Sequence, residues 1–175
     1  REQADPSGGR VVLAGWSLGT AVALQVAAAS PEHVAGLLLL APFSSMAAVT
    51  RSTILGAAGA LGLAAVSPWL WCMGLDPWDS EGAAASLPGE IPVAVVSPRE
   101  DEIIPPWQHE AVFEASRGPK VLLRAPGACH ACFRQMARAM QEVGEDGGGS
   151  LAEWRRLTLS RAVRVVPGTA SPALS

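Results

Sequence analysis

Apolar residues fill positions 11–14 without interruption, and after a break containing Gly and Ser the stretch 18–29 carries neither proline nor charge. A short apolar run bounded by turn residues predicts a buried strand, and a dozen uncharged, Ala-rich residues predict a buried helix. The same signal returns along the chain. Apolar runs ending near Ala41 and at 92–97, and the segment Lys120 to Arg124, predict further strands. Helices are predicted over 83–87, 107–116, 131–143 and 151–164, the first of them opening on a cap at Asp79 or Ser80. Strands alternating with helices imply an α/β fold, a mostly parallel sheet flanked by helices on both faces. Residues 144–150 read as a flexible linker and 165–175 as a disordered tail. A main domain over 1–143 is therefore expected, followed by a linker, short helix and tail over 144–175.

The break between the first strand and the first helix reads Gly15-Trp16-Ser17-Leu18-Gly19. Gly-x-Ser-x-Gly between a strand and a helix is a nucleophile elbow: glycines without a Cβ let the chain reverse within one residue and lift the serine hydroxyl clear of the backbone. The bare string arises by chance in many proteins, so its weight comes from the strand before it and the helix after it. Ser17 is the first candidate for chemistry.

A serine nucleophile needs a base, and the base needs an orienting carboxylate. The chain has three histidines. His33 follows Pro31 and Glu32 and reads as a solvated loop residue. His109 lies within a predicted helix and reads as a helix-face residue. His130 ends a loop, Ala125-Pro126-Gly127-Ala128-Cys129, that follows a predicted strand, which suits a general base. For the acid, Glu100, Asp101 and Glu102 stand together in the loop after the 92–97 strand, and composition does not choose among them. Loops that follow parallel strands converge on one edge of the sheet, where acid and base from neighbouring strands meet Ser17.

Composition narrows the alternatives. A net charge of -3 with scattered Arg residues offers no basic stripe, so no nucleic acid partner is expected. No Gly-rich phosphate loop is present, which argues against a nucleotide cofactor. Cys129-His130-Ala131-Cys132 has Cys-x-x-Cys spacing, but structural zinc wants a second ligand pair, and haem attachment needs a His where Phe133 stands; no metal or other cofactor is expected. Three cysteines, an odd count, argue against a disulfide framework and for a reducing, cytoplasmic compartment. Cys72, in an apolar stretch, reads as a small packed hydrophobe.

Four strings resemble the α/β-hydrolases: Gly15-Trp16-Ser17-Leu18-Gly19-Thr20-Ala21, then Leu37-Leu38-Leu39-Leu40-Ala41-Pro42-Phe43-Ser44-Ser45, then Asp101-Glu102-Ile103-Ile104-Pro105, then Pro126-Gly127-Ala128-Cys129-His130. The resemblance spans residues 10–143, the C-terminal half of that fold, and is greatest to the short-lid branch of serine aminopeptidase-like hydrolases and protein depalmitoylases. It aligns Asp101 with the family's acid and His130 with its base, in the chain order Ser, Asp, His. Departures from the family pattern are Ser97-Pro98 where His-Gly is usual, Cys129 where a small Gly is usual, and Ala131-Cys132 where Asn-Asp is common. The strands that precede the elbow in the family have no counterpart here, so the chain is expected to be a fragment with its N-terminal strands missing; the alternative is a minimal protein whose sheet is completed by dimerisation.

The resemblance also implies roles. Ser17 attacks an acyl carbonyl, His130 shuttles the proton, Asp101 orients His130, and the Leu18 N–H stabilises the oxyanion. Residues 45–80 correspond to the lid. Within it residues 54–75 carry no charge; they are long enough for a membrane span but rich in Ala and Gly and broken by Pro68. The lid therefore reads as a cover over an apolar pocket, with Trp16, Trp69 and Trp71 as substrate-lining residues and contact with a membrane surface as the alternative. The expected activity is hydrolysis of an ester, thioester or related acyl bond in a small-molecule or acyl-protein substrate. A small-peptide peptidase and a non-catalytic remnant or binding module are the rival readings, and oligomeric state is left open.

Overall fold

Four apolar segments become strands: β1 (Val11–Trp16), β2 (Val34–Leu40), β3 (Val93–Pro98) and β4 (Lys120–Ala125). They belong to a computed structural model that describes residues 9–52, 78–145 and 150–162. All three pairings are parallel and the spatial order is β1-β2-β3-β4, the order of the sequence. Strands β1, β3 and β4 extend one or two residues past the expected segments at the C-terminal end, because the ladder continues: Trp16 still pairs with Leu40 and Pro98 with Ala125.

Parallel neighbours need a crossover, and right-handed crossovers that all step the same way leave the connecting helices on one face. Helices α1 (Leu18–Ala29), α3 (Ser80–Ser86) and α4 (Pro106–Ala115) pack on that face, while α2 (Met46–Ser52) follows β2 and packs on a separate cluster of Ala21, Phe43 and Ile104. Two more, α5 (Phe133–Glu145) and α6 (Ser150–Ala162), follow the last strand. Strand alternation then sorts the core into two layers. Leu37, Leu39, Val93 and Val95 pack with Leu24 and Ala27 of α1, Ala84 of α3 and Val112 of α4. Ala94, Val96, Val121 and Leu123 point the other way, onto Met136 of α5 and Leu151 and Trp154 of α6. The helix expected beyond the linker is thus a wall of the core. It comes close because Gly36 has no side chain: a Cβ there would lie 2.6 Å from Thr158 Oγ1.

Local capping matches the chemistry of the residues. Asp79 caps α3, its Oδ1 accepting the Gly82 N–H at 2.8 Å. Helix α5 starts at Phe133 rather than at 131, since Cys129 to Cys132 form a tight turn of their own. Trp69, Trp71, Cys72 and most of the lid lie outside the described residues, as do the 165–175 tail and residues 146–149 of the linker. Among the described residues no helix is long and apolar enough to cross a membrane.

Candidate active site

The C-terminal ends of β1, β3 and β4 lie on one edge of the sheet, and the loops that leave them carry Ser17, Asp101 and His130. Ser17 adopts φ 51 and ψ -121, a backbone region that costs an L-residue roughly 1–3 kcal/mol and persists only where neighbours enforce it. Three contacts enforce it. The Ser17 N–H donates to Leu40 O at 2.9 Å, continuing the β1–β2 ladder. The hydroxyl of Thr20, a fully buried residue, donates to Ser17 O at 2.6 Å. Gly15 lies so close to the start of α1 that a Cβ would be 2.5 Å from the Gly19 carbonyl carbon and 2.7 Å from the Thr20 nitrogen. Ser17 occupies the N-cap position of α1, yet its side chain makes no cap hydrogen bond. The half-buried hydroxyl lies instead 3.1 Å from His130 Nε2. Leu18 opens α1, so its N–H belongs to the first turn, whose donors have no intrahelical acceptor.

The other imidazole nitrogen, His130 Nδ1, is 2.8 Å from Asp101 Oδ2. The second carboxylate oxygen, Oδ1, accepts the backbone N–H groups of Ile103 at 2.9 Å and Ile104 at 2.7 Å. Burial alone pushes the Asp101 carboxyl up. The bonds from His130, Ile104 and Ile103 outweigh it, and the group is held below its ordinary 3.8. An ionised, oriented carboxylate behind the ring selects the tautomer with the proton on Nδ1 and leaves Nε2 as an acceptor for the Ser17 hydroxyl.

The three neighbouring acids separate by what they touch. Asp101 reaches the ring. Glu102 Oε2 accepts the backbone N–H of His130 at 3.0 Å, tying the base loop to the acid loop. Glu100 is exposed, and its backbone N–H donates to Ala128 O at 3.1 Å. On the far side of the loop the Trp16 indole N–H donates to His130 O at 3.2 Å, and the same indole packs edge-on against Phe133 at 4.7 Å. Backbone N–H and C=O of His130 are therefore both held by side chains from elsewhere, Glu102 of the acid loop and Trp16 at the end of β1.

Two features run against expectation. Cys129 and Cys132 form a disulfide across the turn that presents His130, their Cα atoms 5.0 Å apart. The odd cysteine count was a poor guide because two cysteines three residues apart on one turn need no wider framework. His109, read as a helix-face residue, is fully buried: its Nδ1 is 2.9 Å from Ser97 Oγ and its Nε2 is 3.7 Å from Asp101 Oδ2. Burial lowers its pKa to about 4, against the raising influence of Asp101. His33 lies in solvent, its side chain 3.7 Å from that of Glu32.

No family model matches this sequence, and no curated protein matches it. Solved structures do. The chain is similar to a monoacylglycerol lipase from Paleococcus ferrophilus, with TM-score 0.54, 19% identity and coverage of 87% of this chain and 69% of that one. It is similar to the esterase domain of a Rhodothermus marinus protein, with TM-score 0.53, 22% identity and coverage of 83% and 59%. An α/β-hydrolase enzyme from a Medee basin deep-sea metagenome library gives TM-score 0.52, 14% identity and coverage of 81% and 66%. The chain carries part of the α/β-hydrolase fold. It spans 59% to 69% of the lengths of these three proteins. Within the α/β-hydrolase fold, the edge where Ser17, His130 and Asp101 meet is the end of the sheet at which ligands of open parallel α/β sheets bind. Trp16, expected to line a substrate site, is 39% exposed on that edge and also braces the His130 loop.

Proposed function

We propose that this chain is a serine hydrolase of acyl bonds. The observation that carries the reading is the unbroken hydrogen-bonded series from Ser17 Oγ through the His130 ring to Asp101, mounted on a strained elbow. In the proposed reaction Ser17 Oγ attacks the acyl carbonyl carbon while His130 Nε2 takes the hydroxyl proton. The Leu18 N–H donates to the oxyanion that forms, a contact of a kind worth about two to three orders of magnitude in rate. His130 then returns the proton to the leaving group, which departs with the electron pair of the broken bond. His130 Nε2 then takes a proton from water as the water oxygen attacks the acyl carbon, and returns it to Ser17 Oγ as the acyl–Ser17 bond breaks and the acid leaves. Asp101 remains ionised and stabilises the imidazolium at each transfer.

The substrate class is an ester or thioester, on a small molecule or on an acylated protein. The resemblance to the short-lid branch of serine aminopeptidase-like hydrolases and protein depalmitoylases supports an acyl substrate of either kind, and a small-peptide peptidase is the alternative on the same residues. A fluorophosphonate probe tests the reading on the full chain. Labelling that disappears in Ser17→Ala supports it; a folded chain that does not label, or that labels equally after the substitution, overturns it in favour of a non-catalytic remnant. Paired oxo- and thioester substrates of equal acyl length then separate esterase from thioesterase by their kcat/KM ratio.

A further inference from the structure

Asp101 Oδ2 faces two imidazoles. One belongs to His130, at 2.8 Å; the other belongs to His109 of α4, whose Nε2 is 3.7 Å away and makes no hydrogen bond. Both the His109 and Asp101 side chains are fully buried there, so water does not screen what passes between them. The identity of the proton on His109 follows from its other side. Ser97 Oγ, on β3, is 2.9 Å from Nδ1. Were Nδ1 protonated, the Nε2 lone pair would point at a carboxylate in a dry interior, a repulsive arrangement. With the Ser97 hydroxyl donating to Nδ1, the proton rests on Nε2 and its N–H dipole points at the carboxylate.

Resting on the serine-hydrolase reading above, we infer that His109 is a positioning residue: through the Nε2–H tautomer set by Ser97, it holds the Asp101 carboxylate charged and aimed at His130. At 3.7 Å the contact is too long for a hydrogen bond and acts as a dipole on a charge. The ionisable groups acting on His109 are Asp101 from the acid loop, His130 from the base loop and Glu110 beside it on α4. Burial, with the nearby His130, outweighs Asp101 and Glu110 and leaves the ring neutral at pH 7, so it supplies a dipole without competing with His130 for the proton. Removing that dipole leaves the Asp101 charge less compensated. The carboxylate then takes up a proton at a higher pH and orients the His130 ring less firmly.

The test uses the full chain with His109→Phe, His109→Gln and Ser97→Ala, and reads two quantities. One is the fluorophosphonate labelling rate against pH; the other is the Asp101 titration midpoint from carboxyl NMR. Expected for His109→Phe is a midpoint raised by about half a pH unit, with labelling at neutral pH slowed about tenfold. His109→Gln, which keeps an N–H near the Nε2 position, returns both to within about twofold of wild type, and Ser97→Ala lies between. A folded His109→Phe variant with the wild-type midpoint, whatever its melting temperature, overturns the inference and makes His109 a space-filling residue. If that variant does not fold, the Ser97→Ala midpoint decides in the same way. The NMR midpoint needs no turnover, so a failure of labelling in the wild-type chain sinks the hydrolase reading while the coupling of His109 to Asp101 is still decided.

Discussion

The acid and the nucleophile stand on strands of opposite character. Strand β3 has a neighbour on each side and is buried at all six positions. Strand β1 pairs only with β2 among the described residues, and Val11 is 53% and Val12 42% exposed. Helix α1, which follows it, also carries exposed apolar residues, Leu18, Val22 and Val26, recurring every four residues. On the inner strand the loop geometry is determined by the sheet: the N–H groups of Arg99 and Glu100 bond to Ala125 and Ala128, so the acid loop is laced to the base loop. On the outer strand, no such lacing exists on the side away from β2 among the described residues. Ser17 keeps its strained backbone through the close fit of Gly15 against Gly19, the Thr20 hydroxyl and one ladder bond to β2. Chemistry at the acid is thus expected to fail by loss of charge, and chemistry at the nucleophile by loss of backbone shape.

The largest effect tests the first half of that contrast. Asp101→Asn keeps the size of the side chain and removes its charge, favouring the wrong tautomer of His130. Fluorophosphonate labelling is expected to fall by about four orders of magnitude. Because backbone bonds hold the loop, the circular-dichroism spectrum is expected to stay that of the wild type; a variant that loses activity only by unfolding would show that β3 does not determine the acid loop.

Next in size is the pH dependence of stability, which also belongs to the inner strand. The folded pKa of His109 is lowered from 6.5 to about 4, so between these values the unfolded chain binds a proton that the folded chain refuses. Stability therefore falls as pH drops from 6.5 toward 4, by roughly 3 kcal/mol in all, and is unaffected by this group above that window. Asp101, held below 3.8, contributes stability that is full above its unfolded value and is lost only as pH falls through its lower folded value, beneath the His109 window. Urea unfolding midpoints at pH 7 and pH 4.5 are expected to differ in the wild type, and the difference to shrink in His109→Phe.

How much of this was legible in the sequence depends on what each residue's signal is made of. Strands, helices and the elbow announce themselves because apolar runs and Gly-x-Ser-x-Gly are local patterns, and the parallel topology follows from their alternation. Ser17 and His130 were legible as loop residues after strands. The choice of Asp101 over Glu100 and Glu102 came from the resemblance, since the feature that separates them is three-dimensional: Asp101 turns back on its own loop to accept from Ile103 and Ile104, while Glu102 reaches the His130 backbone. His109 was missed for a plain reason. Helix α4 buries Gln108 and His109 along with Val112, so its inward face is polar where it meets the site, and an apolar stripe, the usual sign of a buried face, is absent. The one hint was Ser97, a small polar residue in an otherwise apolar strand and a departure from the family pattern; it is the partner of His109.

The outer strand is tested by Gly15→Ala. The added carbon meets backbone atoms, 2.5 Å from the Gly19 carbonyl carbon and 2.7 Å from the Thr20 nitrogen, and backbone at the start of a helix has little room to give. A loss of about 2–3 kcal/mol is expected, in the upper range for overpacking, together with a fall in labelling as the elbow opens. A contrasting substitution at Gly19, where a Cβ meets nothing within 4 Å, is expected to be tolerated in stability. Equal losses at the two glycines would mean that the close contact of Gly15 with the start of α1 is not what governs the elbow.

The smallest effects measure the contrast directly, one valine on each strand. Val95 in β3 is fully buried in the layer beneath α1, α3 and α4, and Val95→Ala removes two methyl groups from packed surroundings. It is expected to cost about 2 kcal/mol by urea denaturation. Val12 in β1 is 42% exposed, and Val12→Ala removes the same atoms from a surface that water already reaches. Its expected cost is under about 0.5 kcal/mol, the usual range for a surface substitution. The ratio matters more than either value, since the chemistry of the change is identical and only the neighbours differ. A Val12→Ala cost as large as that of Val95→Ala would mean that the outer face of β1 is covered in solution, and Ser17 would then be held from both sides, as Asp101 is.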